Sequence, residues 1–192
     1  GSLARKFKLA PGTSAKATFV LTWHMPNLKM DRLPPGRFYA TKFNSALGVA
    51  THLAKNFARL SGHTRLWHDT WYDSTLPRWF LDRTFLNTSI LATSTCHRFG
   101  DGRFYAWEGV GCCEGTCGHV WQYAHAMARV FPELERSLRE KVDFGLALQP
   151  DGAIHFRGEF NDIPAIDAQA GTILRALREH QMSADGAFLK SN

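Results

Sequence analysis

Glu108 stands at the end of an aromatic run, Phe104-Tyr105-Ala106-Trp107, and opens a glycine-rich turn. Aromatic walls exclude water and stack on the apolar faces of sugar rings, so a carboxylate delivered this way suits a nucleophile or general acid acting on a sugar. The same group could instead be structural, paired with Arg103 or Arg98. Glu114 is a rival in the same turn, but it lies among small residues before a helix start. There a carboxylate gains from unpaired N–H groups without any catalytic role. Cys112, Cys113 and Cys117 surround Glu114, with His119 just beyond. Thiolates and imidazole are zinc ligands, yet adjacent ligands followed by a gap of four are not the usual paired knuckles. The competing reading packs small buried cysteines into a tight turn against a helix. No residue is assigned to a metal, and no cofactor is expected.

Three further groups could do chemistry. Trp67, His68, Asp69, Trp71, Tyr72 and Asp73 combine aromatic surface with polar groups. They read either as a sugar-binding wall, with Asp69 on a hydroxyl, or as a helix that packs aromatics on one side and solvates acids on the other. His155, between Ile154 and Phe156, points opposite its apolar neighbours in a short strand and is either structural or a contact to a ligand hydroxyl. Asp167 lies at the start of the last helix, where capping is the expected role.

The elements that must position these groups follow from periodicity. Residues 5–24 read as strand material, with Ala17, Phe19, Leu21 and Trp23 alternating against Thr18, Val20 and Thr22. Residues 25–43 hold Pro26, Pro34, Pro35 and Gly36 and read as a linker or long loop. Asn44 is the expected cap of a helix carrying Leu47, Ala50, Ala54, Phe57 and Leu60, ended by Ser61-Gly62. A second helical segment covers 63–73. A third starts at Thr75 and Pro77, with Trp79, Leu86 and Ile90 on one face. Residues 92–107 predict a β-hairpin turning at Gly100-Asp101-Gly102. A helix starting near Thr116 carries His119, Trp121, Tyr123 and His125 and breaks at Pro132, after which Leu134, Leu138 and Val142 continue an apolar face. A turn at 149–152 leads to a short strand, 153–157. The last helix, 166–180, is amphipathic through Ile166, Ala170, Ile173, Leu174 and Leu177.

Composition limits the function classes. The 192 residues include 44 % hydrophobic and 12 % aromatic residues, ample for a core. The net charge of +6 is scattered, with no dense Lys/Arg block to track phosphates, so nucleic acid is not an expected partner. No apolar run approaches the ~20 residues of a membrane span. Gly1-Ser2-Leu3 has neither the charged nor the apolar region of a signal peptide. Localisation is unreadable from the N-terminus; four cysteines without an evident disulfide framework favour a reducing compartment such as the cytoplasm.

Taken together, these segments resemble glycoside hydrolase family 116. The residues carrying the likeness are Trp23-His24-Met25-Pro26, Tyr39-Ala40-Thr41-Lys42-Phe43, Leu76-Pro77-Arg78-Trp79, Tyr105-Ala106-Trp107-Glu108-Gly109 and Phe131-Pro132-Glu133-Leu134-Glu135. The stretch from Asp167 to Arg178 adds to them, and all occur in the family's order over nearly the whole chain. The resemblance implies a mainly α fold with short β segments, a partial (α/α)6 toroid of helical hairpins preceded by the last strand of an N-terminal β-sandwich. It divides the chain into the end of the sandwich (1–26), a linker (27–43) and the first part of the catalytic domain (44–192). It implies a retaining glycosidase acting on a β-glycoside or glycolipid, with Glu108 as nucleophile and Trp107, His155 and Asp69 on the sugar. Phe156 stands where the family usually has an acidic residue, and the cysteine cluster resembles a bacterial subgroup. The family's acid/base Asp falls beyond these residues, so the chain is expected to be an inactive fragment needing the remainder of the catalytic domain. Such a fragment would expose apolar faces, Ile173 and Leu177 among them, and self-associate. The alternative from another class is a non-catalytic carbohydrate-binding or zinc-stabilised helical module.

Overall fold

The computed structural model describes residues 2–192 except Phe85, Val110 and Ala124; for residues 86, 87, 122, 123, 125 and 126 the backbone alone is described. With 48 % helix and 8 % strand, the chain is mainly helical with one small sheet. The described helices are α1 (Ala46–Tyr72), α2 (Arg78–Thr84), α3 (Gly118–Tyr123), α4 (His125–Val130), α5 (Pro132–Leu138), α6 (Ile166–Gln181) and α7 (Ala187–Ser191). Two strands, β1 (Cys96–Arg98) and β2 (Phe104–Ala106), form the sheet. Among the described residues no helix is long and apolar enough to cross a membrane.

α1 merges the two helical segments expected over 44–73. Its cap is Ser45 rather than Asn44: the Ser45 hydroxyl accepts the Gly48 amide at 3.0 Å. Gly62 does not stop it, because glycine costs a helix interior only about 1 kcal/mol relative to alanine. The Ser61 and Thr64 hydroxyls bond back to the carbonyls of Ala58 and Leu60, so they do not compete with the helix either. No residue of α1 is buried. The third helix is shorter than its periodicity suggests: α2 ends at Thr84 and a 3₁₀ stretch runs over Leu86–Ala92. Trp79 and Ile90 are exposed, and Leu81 is the residue that α2 buries. The Leu86 side chain expected beside them lies outside the described residues, as do those of Tyr123 and His125.

Residues 15–23 pair with no strand among the described residues. A strand needs a ladder partner and a covered face. Here Thr18, Phe19 and Val20 are all exposed, and an alternation appears only from residue 21, with its faces reversed. Thr22 and His24 turn toward the body, bonding the carbonyls of Ala46 (2.9 Å) and Phe43 (2.8 Å), while Phe19, Leu21 and Trp23 are exposed. The loop that follows closes on itself and on the hairpin. The Gly36 amide donates to the Leu28 carbonyl at 2.8 Å, and its carbonyl accepts the Gly100 amide at 3.2 Å. Arg32 donates to the Glu159 carbonyl and lies 4.6 Å from the Phe160 ring centre.

The hairpin forms as its turn residues predict. Cys96 stands opposite Ala106 and Arg98 opposite Phe104. Gly102 takes φ +89°, and the Asp101 carboxylate accepts the Arg103 amide at 2.9 Å. The core lies between this hairpin and the following helices: Phe104, Ala106, Trp121, Met127, Leu138 and Val142 pack together. Trp121 meets Phe104 edge to face at 5.3 Å. The helix expected from Thr116 begins instead at Gly118, because Thr116 has φ +43°. Pro132 opens α5, where its missing N–H costs nothing, and a π-helical turn over Arg139–Asp143 carries Val142 into the core. Residues 153–157 form isolated bridges, Leu148 with Ile154 and His155 with Pro164, rather than a strand.

α6 has the expected span and the opposite orientation. Its buried positions are Ala168, Gly171, Thr172, Arg175, Arg178 and Glu179, while Ile166, Ile173, Leu174 and Leu177 are exposed. The inward charges meet charges of α5 and the π-helical turn. Arg178 reaches Glu135 at 2.9 Å and Arg175 reaches Asp143 at 3.6 Å; Arg139 pairs with both Glu135, at 3.5 Å, and Asp143. Burial and the neighbouring Arg139 push Arg175 down to about 10.

Candidate active site

Glu108 follows β2 at the mouth of a turn that closes back on that strand. The Trp107 amide bonds the Thr95 carbonyl at 2.9 Å. Ten residues on, the Thr116 hydroxyl accepts the Ala106 amide and its own amide bonds the Ala106 carbonyl, both at 3.1 Å. The Gly115 amide donates to the Tyr105 hydroxyl at 3.1 Å. Between these ties, Gly111, Cys113, Gly115 and Thr116 all take positive φ, so the turn is tight and strained at its non-glycine positions. Gly115 is needed for space as well: a Cβ there would sit 2.2 Å from the Arg157 carbonyl oxygen.

The partner of Glu108 is Arg157. Its Nη2 donates to Glu108 Oε1 at 2.5 Å, and its Nη1 donates to the Glu114 carbonyl at 2.8 Å. The guanidinium lies 5.0 Å from the centre of the Phe156 ring. The two arginines considered as structural partners are engaged elsewhere: Arg103 with Glu159 through two bonds of 2.6 and 2.8 Å, and Arg98 with Glu133 at 2.6 Å. Burial acts to raise the Glu108 pKa, but hydrogen bonds from the Cys117 thiol and Arg157, with the charges of Arg157 and His119, outweigh it. The carboxyl is held below its ordinary range. Burial, by contrast, pushes the Cys117 thiol up.

His119 pairs with Asp167, Nδ1 to Oδ2, at 2.6 Å, and stands edge-on to Phe156 at 4.6 Å. That bond is the main cause holding the Asp167 carboxyl low. Asp167 is therefore tied first to His119; the position before α6 is Ala165, with no side-chain cap. Gly118 fits under α6 closely, since a Cβ on it would come 2.8 Å from the Ala168 methyl.

The other expected site residues stand apart from one another. Trp107 neighbours Glu108 in sequence and packs edge to face on Tyr105 at 5.7 Å. His155 bonds through its amide to the Ala147 carbonyl at 3.1 Å. Among the described residues neither His155 nor Asp69 makes a hydrogen bond or ion pair with Glu108. Asp69 pairs with His68 at 2.9 Å on the exposed end of α1. That end does form an aromatic groove of about 550 Å³, lined by Trp67, His68, Trp71, Tyr72, Ser89 and Phe131. Trp67 lies 5.2 Å from Trp71 and 6.3 Å from Phe131. Glu114 is exposed and contributes its carbonyl, not its carboxylate, to Arg157.

Among the described residues no group of three or more His, Cys, Asp or Glu side chains could hold a metal ion. What the arrangement offers is an ionised, oriented carboxylate beside an aromatic strand, with thiols and an imidazole around it. Sequence reasoning missed Arg157 and the pairing of His119 with Asp167. Both join positions nearly fifty residues apart, and no local pattern marks them. Compared with known proteins, the chain matches no family model and no curated protein.

Proposed function

We propose that the chain belongs to a retaining β-glycosidase of the glycoside hydrolase family 116 type, with Glu108 as its nucleophile. The observation that carries this reading is the Glu108 carboxylate itself, kept ionised by Arg157 and the Cys117 thiol at the end of an aromatic strand. In the reaction, Glu108 attacks the anomeric carbon and forms a glycosyl ester as the leaving oxygen takes a proton from a second carboxylate about 5 Å away. That second group then removes a proton from water, and the water displaces Glu108 with net retention. In this reading the second carboxylate is an Asp outside residues 1–192. Trp107, His155 and Asp69 are assigned to the sugar.

The same reading supplies the finer architecture, a toroid of paired helices with residues 15–23 as the last strand of a preceding sandwich. In its favour are the outward faces of α1 and α6 and the outward row Phe19, Leu21 and Trp23, each of which such neighbours would cover. A 2-deoxy-2-fluoro-β-glucosyl fluoride tests the chemistry, because its leaving group departs without protonation. Peptide mapping of the full-length protein should find the adduct on Glu108. An adduct on Glu114, or full activity in Glu108→Gln, overturns the assignment. A second reading, a non-catalytic carbohydrate-binding module, rests on the aromatic groove: sugar binding lost in Trp67→Ala, with no adduct on Glu108, would favour it.

A further inference from the structure

The guanidinium of Arg157 has two hands on one turn. One holds Glu108 Oε1 at 2.5 Å, and the other holds the carbonyl of Glu114, six residues later, at 2.8 Å. Its own backbone cannot drift, because the Arg157 carbonyl is pressed against Gly115 with no room for a Cβ. The neighbouring Phe156 carbonyl accepts the Gly118 amide at 2.7 Å, and the Phe156 ring lies beneath the guanidinium. The charged and titratable groups facing Glu108 are Arg157, Cys117, His119 and, across the turn, Cys113. Of these, Arg157 holds both limbs of the turn from outside it.

We propose that Arg157 is a positioning residue for Glu108, fixing the orientation of the attacking carboxylate by clamping the two limbs of its turn together. This role rests on the reading of Glu108 as a nucleophile. A planar fork can hold a carboxylate and a carbonyl at once with fixed geometry; a lysine carries the charge on a flexible stem and holds them as a point. Arg157→Lys and Arg157→Gln therefore separate orientation from charge. A reacting carboxylate displaced by about 1 Å loses on the order of a hundredfold in rate.

The test uses the full-length protein and two readouts. The first is the rate of adduct formation on Glu108 with 2-deoxy-2-fluoro-β-glucosyl fluoride. The second is the ¹³C NMR titration of the Glu108 carboxyl. The expected result is labelling slowed about a hundredfold in Arg157→Gln and by less in Arg157→Lys. The Glu108 midpoint should rise clearly in Arg157→Gln and little in Arg157→Lys, with thermal midpoints near that of the parent. Labelling and titration unchanged in folded Arg157→Gln overturn the proposal, as does a labelling loss that merely tracks the unfolded fraction. Should Arg157→Gln not fold, Glu108→Gln serves: the Arg157 side-chain ¹⁵N signals must then shift, and unshifted signals reject the clamp. A parent protein that takes no label refutes the glycosidase reading alone, because the titration and ¹⁵N arms still judge the clamp.

Discussion

A carboxylate that attacks carbon has to be ionised where it works, and the neighbours of Glu108 act in that direction. Its folded-state pKa lies below the unfolded one, so its contribution to stability is complete above the unfolded value and is lost as pH falls through the folded value. Glu108→Gln should therefore flatten the acid limb of the stability curve, read from urea unfolding at a series of pH values between about 2 and 6. Gly115 provides a second check. Gly115→Ala places a methyl on the Arg157 carbonyl at a φ of +89°, whereas Gly111→Ala, at +69°, meets nothing within 4 Å. The first should cost at least about 3 kcal/mol and the second about 1, measured by thermal unfolding. The position of Glu108 just after an aromatic strand was legible in the sequence because its signal is local: an aromatic run, a carboxylate and glycines in succession. Arg157 was not, because a single arginine after a short extended stretch looks the same whether or not a distant turn closes on it.

Helical periodicity says which side chains share a face, not which face turns inward. For α6 the apolar stripe was legible and its direction was not. The side placed inward carries Arg175, Arg178 and Glu179, each with an opposite charge waiting on α5 or the π-helical turn. A buried ion that loses its partner is left uncompensated, so Glu135→Gln should destabilise the protein by about 3–5 kcal/mol in chemical unfolding. Ile173→Ser and Leu177→Ser on the exposed side should cost under about 0.5 kcal/mol. The same double change should lower self-association of residues 1–192 in sedimentation velocity, since it interrupts an open apolar patch. α1 shows a related limit: Ser61-Gly62 reads as a stop only if the helix has something to lose by continuing. The β-hairpin was legible down to its turn, because Gly100-Asp101-Gly102 states its backbone geometry directly.

Among the described residues, burial concentrates in the hairpin, α3 to α5 and the inward side of α6, whereas the N-terminal stretch and α1 contribute almost none. The sequence alternation of residues 17–23 did not indicate that Phe19, Leu21 and Trp23 would all face outward, since period two is indifferent to which row meets the protein. Under the proposed function the chain carries one of two required carboxylates. Residues 1–192 alone should thus release no nitrophenol from an aryl β-glucoside above the buffer rate.

The short segment from Arg157 to Phe160 faces two ways. Arg157 grips the turn of Glu108, while Glu159 is gripped by Arg103 of the hairpin and by Arg32 of the N-terminal loop. Four residues thus splice the loop to the carboxylate like a bell-crank, turning a pull at one end into a tilt at the other. A proteolytic nick near Arg32 would be felt at Glu108 as slack in its mount before any helix came apart.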